Sequence, residues 1–188
     1  MSNQFIIDTS SLINFFRYHY FDKNNGTTLY NKLLQFMIDK IKAGEIIVID
    51  KVYNELQSRD SVDFKKAIKN YIVNTDDLLS NVEVLSNNYY IADNERLVFH
   101  NDQNQIDTEL NIEKSSADLF LVAHCINLKN SGLKPILITE ETTNTKQYRK
   151  LIEKIPTICR NEHIEYRAIA YLLFELYKTE LIFSLKVN

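Results

Sequence analysis

The chain has 188 residues, a formal net charge of −3, two cysteines, three glycines and two prolines. That length suits one domain with a real core, and so few glycines and prolines argue against an all-β sandwich and a Gly-rich phosphate loop. Cys125 and Cys159 lie far apart with no CxxC and no zinc-type spacing, the acidic balance argues against indiscriminate coating of nucleic acid, and no apolar window nears the ~18 residues of a membrane span, so a soluble, cytoplasmic protein is expected.

Taken in chain order, QFII (4–7) reads as a short buried strand ending on Asp8, with Ser10 or Ser11 as the cap of the helix that follows. Residues 27–43 carry apolar positions at helical spacing, with Gly44 as the stop. EIIVID (45–50) is a second strand and leads into a helix through VYNEL. The middle of the chain, about 60–112, reads as helical, with NDQNQ (101–105) as an exposed loop. SSADLFLVAHCINLK then opens a helix at Ser115 or Ser116, with Leu121, Val122, Cys125 and Leu128 as its apolar stripe and Gly132 as its end. KPILITEE is the next buried strand; KIPTIC reads as a short strand and IEYRAIAYLLFELYK as a last amphipathic helix.

Strands alternating with helices predict a single α/β domain over 1–188, with a central, mostly parallel sheet and helices on both faces. Ligands in such sheets sit outside the carboxyl ends of the strands. Asp8, Glu140 and Glu141 fall at that edge, and Glu55 and Asp118 belong to helices that begin near it. Carboxylates sharing a pocket raise one another's pKa unless cations neutralise them, and Mg²⁺ or Mn²⁺ suits such oxygen donors.

The contexts DTSSLI, VYNEL, ADLFLVA and TEE, in that order, resemble those of the PIN-domain nucleases, and the resemblance covers most of the chain. The tail KIPTICRNEHIEYRAIAYLLFEL looks more narrowly like an uncharacterised bacterial PIN-like family of unknown function. The resemblance implies a three-layer α/β/α fold and metal-dependent hydrolysis of RNA phosphodiesters. It also implies Asp8, Glu55, Asp118 and Glu141 as catalytic metal ligands. Glu141 stands where the family usually has Asp, with Glu140 beside it, so either glutamate could be the fourth acid. Ser10 and Thr139 match hydroxyl positions that could bond a carboxylate, a water or a substrate phosphate. Many members of the family are toxins of toxin–antitoxin pairs and often dimerise, so an antitoxin protein and a homodimer join RNA among the partners implied.

Each acid also has an ordinary structural explanation, Asp118 at a helix N-terminus above all. Arg59, Lys65, Lys66 and Lys69, or Lys146, Arg149 and Lys150, are cations that could meet an RNA backbone or form solvated faces. His19, His100, His124 and His163 show no metal-type spacing, and Tyr18 and Tyr20 carry only a bare stacking option. Phosphatases that use an aspartyl nucleophile need a second acid two residues after it, where this chain has Ser10. A PIN-like module that binds RNA or protein without cutting is the alternative function.

Overall fold

The computed structural model describes residues 3–18, 28–57, 61–91, 102–143 and 150–184, with side chains at 3–17, 31–57, 61–91, 102–143 and 150–176. Arg59, Lys146, Arg149, His19, His100, Tyr20 and the Tyr18 side chain lie outside them.

Four parallel strands form the sheet in the order β2-β1-β3-β4: β1 Asn3–Ile7, β2 Ile46–Ile47, β3 Lys134–Ile138 and β4 Glu165–Arg167. Around it run α1 Thr9–Tyr18, α2 Thr28–Lys42, α3 Asp50–Glu55, α4 Val62–Ile68, α5 Leu79–Asn88, α6 Gln103–Ser115, α7 Ala117–Asn130, α8 Ile155–Asn161 and α9 Ile169–Ser184. This is the expected α/β architecture with a parallel sheet between helical layers. Phe5, Ile6, Ile7, Ile136, Leu137 and Ile138 are buried along the two central strands, as a sheet covered on both faces requires.

The strand order fixes where a ligand can reach the sheet. From β1 the chain first builds β2 on one side and later β3 on the other, so the switch point lies between the carboxyl ends of β1 and β3, where α/β sheets open a crevice. Asp8 follows Ile7 at that point and Thr139 follows Ile138. Asp8 N–H donates to Ile138 O at 2.9 Å, extending the ladder past the strands.

Several sequence expectations hold. Helix α2 stops at Gly44 and α7 at Gly132, where φ is +73° and +83°, a left-handed conformation that glycine adopts without a Cβ clash. The middle of the chain is helical where described.

Others are corrected. Ser10 and Ser11 do not precede α1: the helix begins at Thr9, and Asp8 O already accepts from Leu12 N–H. Of the expected loop 101–105, Asn101 lies outside the described residues, and Asp102 is the N-cap of α6, its carboxylate accepting from Gln105 N–H at 2.9 Å. KIPTIC is helix α8 rather than strand, because Pro156 in the first turn gives up an N–H that the helix does not use; Ile155, Pro156, Ile158 and Cys159 are buried. The residues after it, read as part of a last helix, instead supply edge strand β4 before α9 begins. The apolar stripe of α7 is wider than expected, with Ala117, Leu119, Phe120, Leu121, Val122, Ala123 and Cys125 all buried, which marks α7 as a central helix.

Candidate functional site

Asp8 is 3% exposed, and its carboxylate is held from both strand ends. Ser10 Oγ and Thr139 Oγ1 both donate to its Oδ2, the latter at 3.0 Å. The same hydroxyls accept from the next strand's exit: Glu140 N–H donates to Ser10 Oγ at 3.2 Å and Glu141 N–H to Thr139 Oγ1 at 3.1 Å. Of the bonds open to these hydroxyls in the sequence, the structure places them on a carboxylate, where they orient Asp8. Burial, then the charge of Asp118 and more weakly that of Glu141, push the Asp8 carboxyl up to about 6 against the lowering effect of the two hydroxyls. The three acids therefore share one electrostatic neighbourhood although they come from β1, α7 and the loop after β3.

The space between Asp118 and Glu141 is bridged by an ammonium. Lys150 Nζ lies 2.8 Å from Asp118 Oδ2 and 3.1 Å from Glu141 Oε1. Burial alone would lower the Lys150 pKa, but Asp118 and Glu141 outweigh it and raise it above the ordinary lysine value, so the group is cationic. Beside it opens a cleft of about 210 Å³ lined by Glu113, Ser116, Asp118, Leu119, Lys150 and Ile152, among others.

Glu55 reaches the same edge in another way. Its Oε1 accepts from Ala117 N–H at 3.0 Å, and its Oε2 accepts from Thr9 Oγ1. Ser116 occupies the N-cap position of α7, but its hydroxyl bonds back to Glu113 O, so the carboxylate of Glu55 caps the helix that carries Asp118. Glu140 and Glu141 separate cleanly. Glu140 Oε1 accepts from Ile169 N–H at 2.7 Å, at the start of α9. Glu141 faces Asp118 and Lys150 with Oε1, while its Oε2 accepts from Ile155 N–H at 3.2 Å.

Sequence reading missed Glu113, whose two oxygens accept from Leu151 N–H and Ile152 N–H at 2.7 and 2.8 Å. Burial raises its pKa despite those bonds. No motif marks it; it stands on the last turn of α6, and only folding carries it to the chain segment after Lys150. Lys150 itself was named in sequence only as one of several cations for a nucleic-acid backbone. Of the others, Lys65 Nζ donates to Leu56 O at 2.8 Å and lies 4.4 Å from the Tyr53 ring centroid, and Lys66 lies 3.7 Å from Asp63. His124 is half-buried on α7, and burial lowers its pKa. Cys125 and Cys159 are buried free thiols, pushed up by burial, Cys159 to about 12, and so are unsuited to act as nucleophiles.

The donor set is made of carboxylate oxygens, the chemistry a hard divalent cation takes. Among the described residues no three His, Cys, Asp or Glu side chains stand close enough to hold one ion as they are. The reasons are visible in the contacts: Glu55 is turned to α7 and Thr9, and the Lys150 ammonium stands between Asp118 and Glu141. Among the described residues, too, no helix is long and apolar enough to cross a membrane. No curated protein and no solved structure matches the chain. The model of the family described as "Domain of unknown function (DUF4411)" matches residues 5–178, nearly the whole chain, and the chain belongs to that family.

Proposed function

We propose that the protein is a Mg²⁺- or Mn²⁺-dependent endoribonuclease of the PIN-domain type, with Asp8, Asp118 and Glu141 as ligands of the ion and Glu55 completing the acidic cluster directly or through water. The observation that carries this reading is the meeting of Asp8, Asp118 and Glu141 at the β1/β3 switch point, with a cation already bridging two of them. Negative groups gathered at a ligand-binding edge, one with its carboxyl raised to about 6, cost folding free energy and are more often found where function requires them.

Each residue has a distinct part in this scheme. Ser10 and Thr139 fix the orientation of Asp8 by donating to one of its oxygens, which leaves the other oxygen turned away from those hydroxyls. Glu55 locks the first turn of α7 and so sets the direction of Asp118. Glu141 is steadied through its Oε2 by α8 and presents Oε1. A divalent ion, when bound, makes water a stronger nucleophile near neutral pH and offsets charge developing on the phosphate. With both described cysteines buried, attack by water rather than by a thiol is the reaction this site favours.

RNA as substrate, an antitoxin that covers the pocket, and a homodimer are parts of the same proposal, drawn from the resemblance of the four acidic contexts to PIN nucleases. The test is cleavage of a mixed pool of structured and single-stranded RNAs by the purified protein with Mg²⁺, with Mn²⁺ and with chelator, alongside Asp8→Asn and Asp118→Asn. Metal-dependent cutting lost in both variants is expected; equal cutting by variant and parent removes the assignment.

A second reading has its own observation. Glu55, Glu113, Glu140 and Glu141 all accept from backbone amides, and Lys150 neutralises Asp118 and Glu141, so the cluster is satisfied without an ion. A catalytically silent module that holds RNA or protein would need no more. It would retain its ligand without turnover under every metal condition.

A further inference from the structure

The Lys150 ammonium stands where the metal reading, on which this inference rests, requires a cation. Its two partners, Asp118 Oδ2 and Glu141 Oε1, come from α7 and from the loop after β3 and converge on a single Nζ at 2.8 and 3.1 Å. Its side chain is 29% exposed, so water screens it only partly. The placement is also built from behind: the two oxygens of Glu113 hold the amides of Leu151 and Ile152, the residues directly after Lys150. The same segment pairs with the chain at Tyr90, where Ile91 N–H donates to Leu151 O at 2.7 Å and Glu153 N–H to Tyr89 O at 3.0 Å. Four hydrogen bonds on Leu151, Ile152 and Glu153 thus fix the segment that directly follows Lys150.

We infer that Lys150 is a tethered counter-cation of the acidic site: it neutralises Asp118 and Glu141 in the metal-free protein and must leave them for a divalent ion to enter, with Glu113 as the positioning residue that keeps it within reach. Two like charges cannot share the same pair of oxygens at contact distance, so lysine and metal exclude each other there. The lysine thereby sets the threshold of metal concentration at which the site fills. It also prevents mutual repulsion from opening the crevice when no ion is present.

The experiment is Mn²⁺ binding by calorimetry at pH 7.5 together with thermal unfolding in chelator, on the parent protein, Lys150→Met, Lys150→Arg and Glu113→Ala. Lys150→Met keeps the apolar stem and removes the charge. It is expected to bind Mn²⁺ about tenfold or more tightly than the parent, as removal of one close, partly buried competing charge implies, and to melt at lower temperature in chelator. Lys150→Arg is expected to keep the parent's metal-free stability. Glu113→Ala leaves Asp118, Glu141 and Lys150 unsubstituted, so if Lys150→Met does not fold it carries the test alone, with an expected gain in Mn²⁺ affinity from a loosened tether.

Parent and variants binding Mn²⁺ equally well would overturn the role of Lys150 while leaving the metal site standing. Weaker binding in Lys150→Met would overturn it too, by making the lysine a helper of the ion. Absence of Mn²⁺ binding in the parent and in every variant would overturn the metal reading, and this inference with it. Binding by Lys150→Met but not by the parent supports both.

Discussion

Asp8→Asn should make the metal-free protein more stable at neutral and alkaline pH while abolishing the proposed chemistry. The Asp8 carboxyl lies at about 6 in the folded protein against 3.8 ordinarily, first because it is buried and then because Asp118 faces it. A folded-state value above the unfolded one means that the folded state binds the proton more tightly. Stability from this group is therefore fully present below about pH 4 and is lost as pH rises through about 6. Moving a carboxyl from 3.8 to about 6, at about 1.4 kcal/mol per pH unit, corresponds to about 3 kcal/mol of stability missing at pH 8. Asparagine keeps the shape and an oxygen that can accept from Ser10 and Thr139, but it carries no charge. The gain is expected between about 1 and 3 kcal/mol, since the new amide N–H₂ needs partners of its own. Urea unfolding of parent and variant in chelator from pH 4 to 8 measures it, the midpoints diverging as pH rises. A variant no more stable than the parent at pH 8, or an advantage that grows on acidification, would refute the argument. Saturating Mn²⁺ should reverse the order, because only the parent then gains binding free energy.

Glu140→Ala should cost about 1 kcal/mol through loss of the acceptor for Ile169 N–H at the start of α9, and should leave metal binding intact. Glu141→Ala should weaken metal binding, so calorimetry on the pair tells the neighbouring acids apart. Glu55→Gln keeps an oxygen for Ala117 N–H and should fold like the parent, whereas Glu55→Ala should lose about 1 kcal/mol of stability in urea unfolding. Thr139→Val removes a donor to charged Asp8, so the pH at which the fall in stability levels off should move upward from about 6, as urea unfolding at several pH values would show. Mn²⁺ and Mg²⁺ should support thermal stabilisation better than Ca²⁺, because Glu141 offers a single oxygen and Ca²⁺ favours bidentate carboxylates.

The sheet was legible because its central strands are unbroken apolar runs, FII and ILI, bounded by polar residues and by glycine stops. Asp8 and Glu141 stand out in the sequence because they come just after apolar strands, whereas Glu55 and Asp118, both in helices, are marked only by the resemblance of their contexts. KIPTIC and IEYR were exchanged because a short apolar run carries no period long enough to tell strand from helix, and the evidence for helix was a single proline. Glu113 and Lys150 were harder. Glu113 acts on amides 38 and 39 positions away, and Lys150 on carboxylates 32 and 9 positions away. No local pattern encodes such pairs. Local rules put the cap of α7 on a serine, although the oxygen that fills the role comes from Glu55, 62 residues before Ala117.

That long-range cap is one of three of the same kind, and together they account for how the cluster stands without a metal. Helices α7, α8 and α9 all begin at the carboxyl edge of the sheet, and the first N–H of each, on Ala117, Ile155 and Ile169, donates to a glutamate: Glu55, Glu141 and Glu140. The positive ends of the helices offset part of the repulsion among the acids, and each glutamate is fixed through one oxygen. For Glu55 the second oxygen holds Thr9, and for Glu141 it meets Lys150. Asp8 has no helix of this kind; it has two hydroxyls and its burial, and its carboxyl is driven up to about 6. Burial and the charges of Asp118 and Glu141 thus act together on Asp8, the acid at the switch point of the sheet, where an added divalent charge would offset them.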